Sequence, residues 1–548
     1  MRMSRYLSVP ISFALLISAC AASSFALTPK RAALNPAFVE YQKTLKSAAS
    51  FSSSVLKTSA LSTSSAGYGY VPSPVNWDRF SGISFGVPSS AARQSSSLPV
   101  SYSVKNTLPA AKNQVFGNCW AYAAMAATSS NLVKKGIYSS PVDLSEWYIT
   151  YYCYQAESAD KPGFTTQDSV YDDGGDDWRA VALLSRGTGS LLESNCADPA
   201  TKAKAYNPGI KTRNFKIKNA YCLGNLNVRE NVLSNDRAAL VKNAIMNYGA
   251  VSIGMRQIQN DSRILSGDAY YNPYAAGRTN HSVAIVGWDD NYAISNFGYK
   301  PKNPGAWLVR NSWGTDWGNE GYFYVSYEEP SLHDGVAYDT VKEPGNERIY
   351  QYDPLGCATS YGYDTKKEGF ANIFKAEGND KLTSVAFYVF NPNTSYTINI
   401  YTNCSADKPN SGTLAASKTV TISMPGYNTV DLNSTVQLTK GVRFSVVVVA
   451  DVTNASSADF TMVIPVEDYE AGYSEKATAN AGEGWISNDG VTFEDITKQD
   501  GEEKTSICIK AFATKESSGG SGGGGGCNAG VSVLSLLLIV PLFRRKIR

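Results

Sequence analysis

Cys119 stands in Gln114-Val-Phe-Gly-Asn-Cys-Trp120, directly ahead of an alanine-rich stretch, and the residues able to complete a thiol site lie far downstream. They are His281, at the head of the apolar run 282–286, and Asn311, in Asn311-Ser-Trp-Gly314. If the three act together, the chain must fold so that a helical segment carrying the cysteine meets strands carrying the other two. The chain has just 2 histidines, so the choice of base is narrow.

A cysteine attacks only as its thiolate, so its surroundings must lower its pKa with a helix N-terminus, an imidazolium, or both. Small, helix-compatible residues (Ala121, Ala123, Ala124, Met125, Ala126, Ala127) follow Cys119 and run to Gly136, a helix stop. The thiol then sits at the positive end of a helix dipole. His281 is the expected proton acceptor and later donor, and the Asn311 side chain is expected to hold the imidazole in one tautomer. Gln114 is expected to offer its side-chain N–H to an oxyanion beside the Cys119 backbone N–H. Trp313 is placed to cover the Asn311–His281 hydrogen bond.

Each residue also has an ordinary structural reading. A cysteine in an alanine-rich segment is usually inert packing, a histidine heading an apolar run is usually a bonded core residue, and an asparagine forms turns. Three local patterns in one order are much rarer by chance than any one of them.

At these residues the chain resembles the papain family of cysteine peptidases. Gln114, Gly117-Asn-Cys-Trp120, His281 to Trp288 and Asn311 to Gly314 carry the likeness. Asp143-Leu-Ser-Glu146 resembles the family's Leu-Ser-Glu helix start, and Gly174-Gly175 resembles the glycine pair whose backbone binds substrate in an extended form. Trp307-Leu-Val-Arg-Asn311 and Gly321-Tyr-Phe-Tyr324 resemble the strands around the asparagine. The resemblance implies a Cys119, His281 and Asn311 site, a Gln114 oxyanion donor, substrate contacts at Gly174 and Gly175, and no cofactor or metal. It departs in three places. Gln114 precedes Cys119 by 119 − 114 = 5 positions where the family has six, Phe116 replaces the usual disulfide cysteine, and residues 289–304 form an extra loop rich in Asp, Asn and Pro.

A chain of 548 residues exceeds one compact domain, and its formal net charge of +2 gives no basic field for nucleic acid. Arg2, Arg5, the apolar stretch 6–19 and the small residues after it form a secretory signal pattern over residues 1–26. Ile17-Ser-Ala-Cys20 reads as a lipoprotein box and Ser24-Phe-Ala26 as an ordinary cleavage site; both readings stand, and both imply export. At the other end, a Gly/Ser tract leads to Cys527, the apolar run 531–543 and Arg544-Arg-Lys546. This reads as a linker with a membrane anchor, and it resembles bacterial GlyGly-type sorting signals with Cys527 as the processed residue. Membrane attachment at one or both termini is therefore expected, with release outside the cell as a further outcome.

Six other cysteines remain, at 153, 196, 222, 357, 404 and 508, and export permits disulfides without fixing their pairing. The family resemblance favours Cys153 with Cys196. No spacing among them makes a zinc site, and His333 reads as a solvated surface residue.

Residues 27–95 are rich in Ser and Ala, with a short helix expected over 36–48 and a low-complexity stretch at 50–65. Composition reads as a weakly folded leader; position, through the resemblance, implies a pro-segment, with Gly67-Tyr-Gly-Tyr-Val-Pro-Ser-Pro74 as the part that docks on the enzyme. Residues 96–345 are expected to form a two-lobed, papain-like α+β domain with a helical lobe and a β-barrel-like lobe, with strands at 282–286, 306–309 and 322–326. Over 346–514 short strands alternate with turn residues, which predicts an all-β antiparallel sandwich, with a hairpin of 383–390 and 395–401 and a buried central strand at 443–450. That region resembles lectin-like modules, leaving a carbohydrate ligand and a structural spacer as alternatives. Residues 515–530 are a linker and 531–548 a sorting or anchor segment.

The function expected is an exported, envelope-attached thiol endopeptidase acting on proteins or peptides through an acyl-enzyme. The alternatives are another Cys-His amidase, and a surface adhesin with a papain-like domain of little or no activity.

Overall fold

The computed structural model describes residues 27–50, 69–80, 98–166, 169–226, 235–275, 279–453 and 462–516. The expected signal segment, Cys20, most of the low-complexity stretch, Cys527 and the C-terminal tail lie outside them. The described residues up to Lys515 belong to one compact unit, and none of their helices is long and apolar enough to cross a membrane.

The helix Cys119–Lys134 forms where the alanine run predicts it and ends at Gly136, whose φ of +68° accommodates the turn. It is apolar nearly all round and buried to match, packed against the strands His281–Asp289 and His333–Lys342. A second helix, Glu146–Tyr154, starts at Ser145, whose hydroxyl accepts the Tyr148 N–H at 3.1 Å. A third, Asp177–Ser185, starts at Asp176, whose carboxylate accepts the Trp178 N–H at 2.8 Å and the Arg179 N–H at 3.1 Å.

The strand-rich side is antiparallel except where Ala269–Tyr270 pairs in parallel with Tyr322–Ser326. Val251–Met255, His281–Asp289, Ala306–Arg310 and Tyr322–Ser326 pair in that order, and His333–Lys342 lies between Val251–Met255 and Phe215–Gly224. The extra loop over 289–304 is pinned by Phe297, fully buried against Tyr271.

The C-terminal half is a β-sandwich. One sheet orders Thr413–Ile422, Thr394–Thr402, Arg443–Asp451, Lys367–Lys375, Gly484–Ser487 and Glu494–Asp495, with Arg443–Asp451 central as predicted. The facing strands are Glu347–Tyr350, Ile509–Thr514, Lys381–Val389 and Gly426–Gln437. This second sheet does not stop at the domain edge. Gly426 pairs with Tyr221 and Tyr427 with Ala220, so it runs on into Phe215–Gly224 and the peptidase-side strands. The expected hairpin is not formed: Lys381–Val389 and Thr394–Thr402 lie in opposite sheets. The Asn391-Pro-Asn turn arches across the core instead, and Phe387 meets Tyr396 at 5.3 Å. Burying both apolar faces against each other outweighs local strand pairing.

The described residues of the N-terminal segment, 27–50 and 69–80, are folded rather than loose. Lys30–Arg31 adds an edge strand to Thr359–Gly362 of the sandwich, and the Arg31 guanidinium pairs with Asp468 and Glu470. Helix Pro36–Ser50 buries Phe38 edge-on against Tyr473 at 5.9 Å. Leu34 bridges Val75, and Trp77 stacks on Trp178 at 3.8 Å and on Phe390 at 5.2 Å. One tryptophan thus binds the segment to both halves of the molecule.

Candidate active site

The fold brings Cys119, His281 and Asn311 together. Cys119 is the first residue of its helix, fully buried, and its Sγ accepts the Ser282 backbone N–H at 3.2 Å. Since Ser282 directly follows His281, that bond ties the strand that carries the imidazole to Cys119. His281 Nε2 lies 2.8 Å from Asn311 Oδ1. A carbonyl oxygen only accepts, so Nε2 carries the proton and Nδ1 is the basic nitrogen. The same Asn311 oxygen accepts the Ser312 N–H at 2.8 Å, and the Asn311 N–H donates to Gly321 O at 2.9 Å. Trp313 stacks on the imidazole at 4.9 Å and 19°. Trp317 stands edge-on to Trp313 at 5.0 Å.

Two family models match the chain: a papain family cysteine protease over residues 100–340 and a lectin-like domain over residues 349–513. This chain carries a papain-family cysteine protease domain joined to a lectin-like domain. It is 26% identical over 242 residues to a cysteine protease of Blomia tropicalis, covering 41% of this chain and 60% of that protein. It is 25% identical over 244 residues to human cathepsin L2, covering 43% and 63%. The chain thus spans less than two thirds of these curated relatives. A crystal structure of the cysteine protease and lectin-like domains of Cwp84, a surface layer associated protein of Clostridium difficile, is similar at 26% identity. That likeness has a TM-score of 0.67 and covers 89% of this chain and 98% of the other. A structure of Cwp84 after propeptide cleavage is 29% identical, with a TM-score of 0.61 over 75% and 97%.

Within the papain-family domain, Gln114 sits beside the asparagine loop. Its N–H donates to Ser312 O at 2.8 Å, its Oε1 accepts the Ser312 hydroxyl at 2.6 Å, and its Nε2 donates to Phe116 O at 2.9 Å. The amide expected to face an oxyanion therefore serves its own short loop in this state.

The glycine pair is occupied from within. Gly175 N–H donates to Gly69 O at 3.0 Å and Val71 N–H donates to Gly175 O at 2.8 Å, a parallel bridge centred on Tyr70. Gly175 must lack a side chain, because a Cβ there would meet the Trp120 ring at 2.5 Å. Of the docking stretch expected at 67–74, residues 69–71 bridge Gly175, while Ser73 O and Pro74 O accept hydrogen bonds from Asn35 of the same segment.

Burial has one electrostatic consequence for the pair. It pushes the Cys119 thiol up to about 12, against the lowering effect of the Ser282 N–H, and pushes His281 down to about 4, against the raising effect of Asn311. The closed site holds a neutral thiol and a neutral imidazole.

Several residues escaped sequence reasoning. Lys112 reaches Asp143 at 3.2 Å, Glu193 at 3.3 Å, Asp198 at 3.4 Å and also Glu146, tying the Leu-Ser-Glu turn to the loop before Gln114. Glu146, Glu193 and Asp198 have metal-like spacing among the described residues, but the Lys112 ammonium already contacts all three. Asp177 and Asp334 also lie near Tyr70 of the expected docking stretch. No local pattern announces these two carboxyls.

Two expectations are corrected. Cys153 and Cys196 do not pair: Cys153 is buried among the Arg179, Asp176 and Arg186 side chains, while Cys196 hydrogen-bonds Ser145. All seven described cysteines carry free thiols. His333 is half-buried at the start of His333–Lys342, opposite Gly254, and not a solvated residue.

Proposed function

We propose that the chain is an exported, envelope-attached cysteine endopeptidase, held latent by its own N-terminal segment, that hydrolyses peptide bonds through Cys119, His281 and Asn311. The observation that carries this reading is the 2.8 Å His281 Nε2–Asn311 Oδ1 contact on the strand whose next N–H bonds Cys119 Sγ. With Nε2 held as donor, Nδ1 takes the Sγ proton, and the thiolate gains from the helix N-terminus. Sγ adds to the peptide carbonyl carbon, and the oxyanion is met by the Cys119 backbone N–H and by Gln114 Nε2 once it leaves Phe116 O. The imidazolium protonates the leaving amine, and water, giving its proton to Nδ1, cleaves the thioester. Gly174 and Gly175 hold the substrate backbone after the 69–71 segment vacates it.

Export and attachment rest on the terminal patterns, and the surface-layer association of the similar Cwp84 supports them. The lectin-like domain supports a carbohydrate ligand, which makes the adhesin the second reading. Expression of residues 27–514, followed by removal of the N-terminal segment, tests the first. Wild type is expected to hydrolyse peptides and to be labelled by an epoxide thiol-protease inhibitor, and Cys119→Ala to lose both. Equal hydrolysis by the two proteins sinks the mechanism.

A further inference from the structure

One end of the six-stranded sheet of the sandwich carries a charge arrangement that selects among sugars, on the reading above that the lectin-like domain takes a carbohydrate. Lys375 and Arg443 end and begin neighbouring antiparallel strands and stand directly opposite each other. Side chains of such a pair share one face of the sheet, with Cβ atoms about 5 Å apart, and like charges there repel. Among the described residues neither cation has a carboxylate within 4.0 Å, and neither side chain donates a hydrogen bond. Other cations of the sandwich are matched: Arg348 bonds Asp380 at 2.6 Å, and Lys510 pairs with Asp353 at 3.0 Å.

Both side chains border an open hollow of about 500 Å³, within the range of small-ligand sites. Its floor is apolar, formed by Ile373 and by the half-buried Tyr352 ring, which stacks on Phe374 at 4.9 Å. The Tyr352 hydroxyl donates to Ile373 O at 2.9 Å and the Ile373 N–H donates to Glu483 O at 3.0 Å, so floor and far wall are pinned to one strand. On another side stands Ala406, in a loop closed by the Ser405 N–H on Ser411 Oγ at 2.8 Å and the Ser411 hydroxyl on Lys408 O at 2.7 Å. Gly482 brings the two loops together: its φ is +87°, and a Cβ there would lie 3.4 Å from Ala406 O. The Glu483 carboxylate accepts the Asn480 N–H at 3.2 Å on one oxygen and Asn480 Nδ2 at 3.1 Å on the other, which leaves each oxygen a further lone pair.

We propose that this hollow binds a carboxylate-bearing sugar, a uronate residue of an acidic polysaccharide. Lys375 and Arg443 both meet the sugar carboxylate, which relieves their mutual repulsion, and the planar guanidinium fits it with paired N–H groups. Sugar hydroxyls donate to the remaining lone pairs of Glu483, and the C–H face of the ring lies on Ile373 and Tyr352. A singly charged carboxylate suits the site better than a doubly charged phosphate, which Glu483 repels more strongly. A neutral sugar covers the same floor but leaves the cation pair unrelieved.

The test is calorimetric titration of the full chain, carrying Cys119→Ala to prevent self-digestion, with trigalacturonate and with the neutral galactotriose of the same linkage. Trigalacturonate is expected to bind about tenfold tighter, in line with hydrogen bonds to a charged group. Raising the salt to about 0.5 M should remove most of that advantage and leave galactotriose unaffected. Lys375→Gln and Arg443→Gln together should weaken trigalacturonate about tenfold and galactotriose not at all, whereas a misfolded sandwich would lose both. Equal affinity for the two sugars overturns the inference and leaves the carbohydrate reading standing, and binding of neither overturns both. Trigalacturonate affinity unchanged in the double variant overturns it as well, since the sugar then binds elsewhere. So does a glutamate-rich peptide that binds as tightly as trigalacturonate, because the hollow then takes acidic protein. The comparison of the two sugars stands whether or not the double variant folds.

Discussion

Gly69 rests against Gly117 so closely that a Cβ on Gly69 would lie 2.1 Å from the Gly117 carbonyl carbon. The N-terminal segment can reach the cleft only with no side chain at that point, and its φ of +103° demands glycine as well. Gly69→Ala is therefore expected to lift the segment from the cleft without touching the peptidase machinery. Unprocessed Gly69→Ala should hydrolyse peptides at least tenfold faster than unprocessed wild type, in an assay where Cys119→Ala controls for processing.

Trp77 predicts a different failure. Its ring is clamped between Trp178 and Phe390, and deleting such a buried indole costs about 3–5 kcal/mol. Trp77→Ala should loosen the segment from the papain-family domain and the sandwich together. Limited proteolysis should then cut within residues 27–80 many times faster than in wild type, with the melting temperature of the remaining body little changed.

The buried imidazole yields a pH signature. His281 is held down to about 4 in the closed state, against about 6.5 in an unfolded chain. Its folded pKa is depressed, so its contribution to stability is complete above about 6.5 and is lost as pH falls through 4. With only two histidines, selectively labelled protein gives two readable signals. One should titrate near 4 in the unprocessed chain and move upward after the segment is removed.

Gln114 can be tested by a change of one atom type. Gln114→Glu keeps an acceptor for the Ser312 hydroxyl and loses the donor N–H. In mature enzyme kcat should fall about 100-fold, in the range for a lost oxyanion donor, while the melting temperature holds. An unchanged kcat would mean that the shortened loop keeps Gln114 on Phe116 O throughout the reaction.

The parts of this molecule that were legible in advance are those whose causes are local. The alanine run behind Cys119, the capping Ser145 and the β-branched strands around His281 and Asn311 each carry their own signal within a few residues. The sandwich strands were legible too, but not their partners. Asn391-Pro-Asn serves a hairpin or an arch equally well, and the choice was made by burial of Phe387 on Tyr396. Asp334 was invisible for a related reason. It meets Tyr70 across 264 residues, and it is turned there by an irregular register between His333 and Val336 that no neighbour encodes. The leader misled by composition: its Ser/Ala-rich text hides the few residues, Phe38, Val75 and Trp77, that bury themselves in the core.

The pairing of Gly426 and Tyr427 with Tyr221 and Ala220 leaves no swivel between the two domains. A binding module on a flexible tether lets a cutting site sweep a volume set by the tether's length. Here the backbone ladder fixes both distance and bearing. If the sandwich rests on a surface, as proposed above, the thiol stands at one distance from it, and substrates are then sorted by where their cleavable segment stands above that surface.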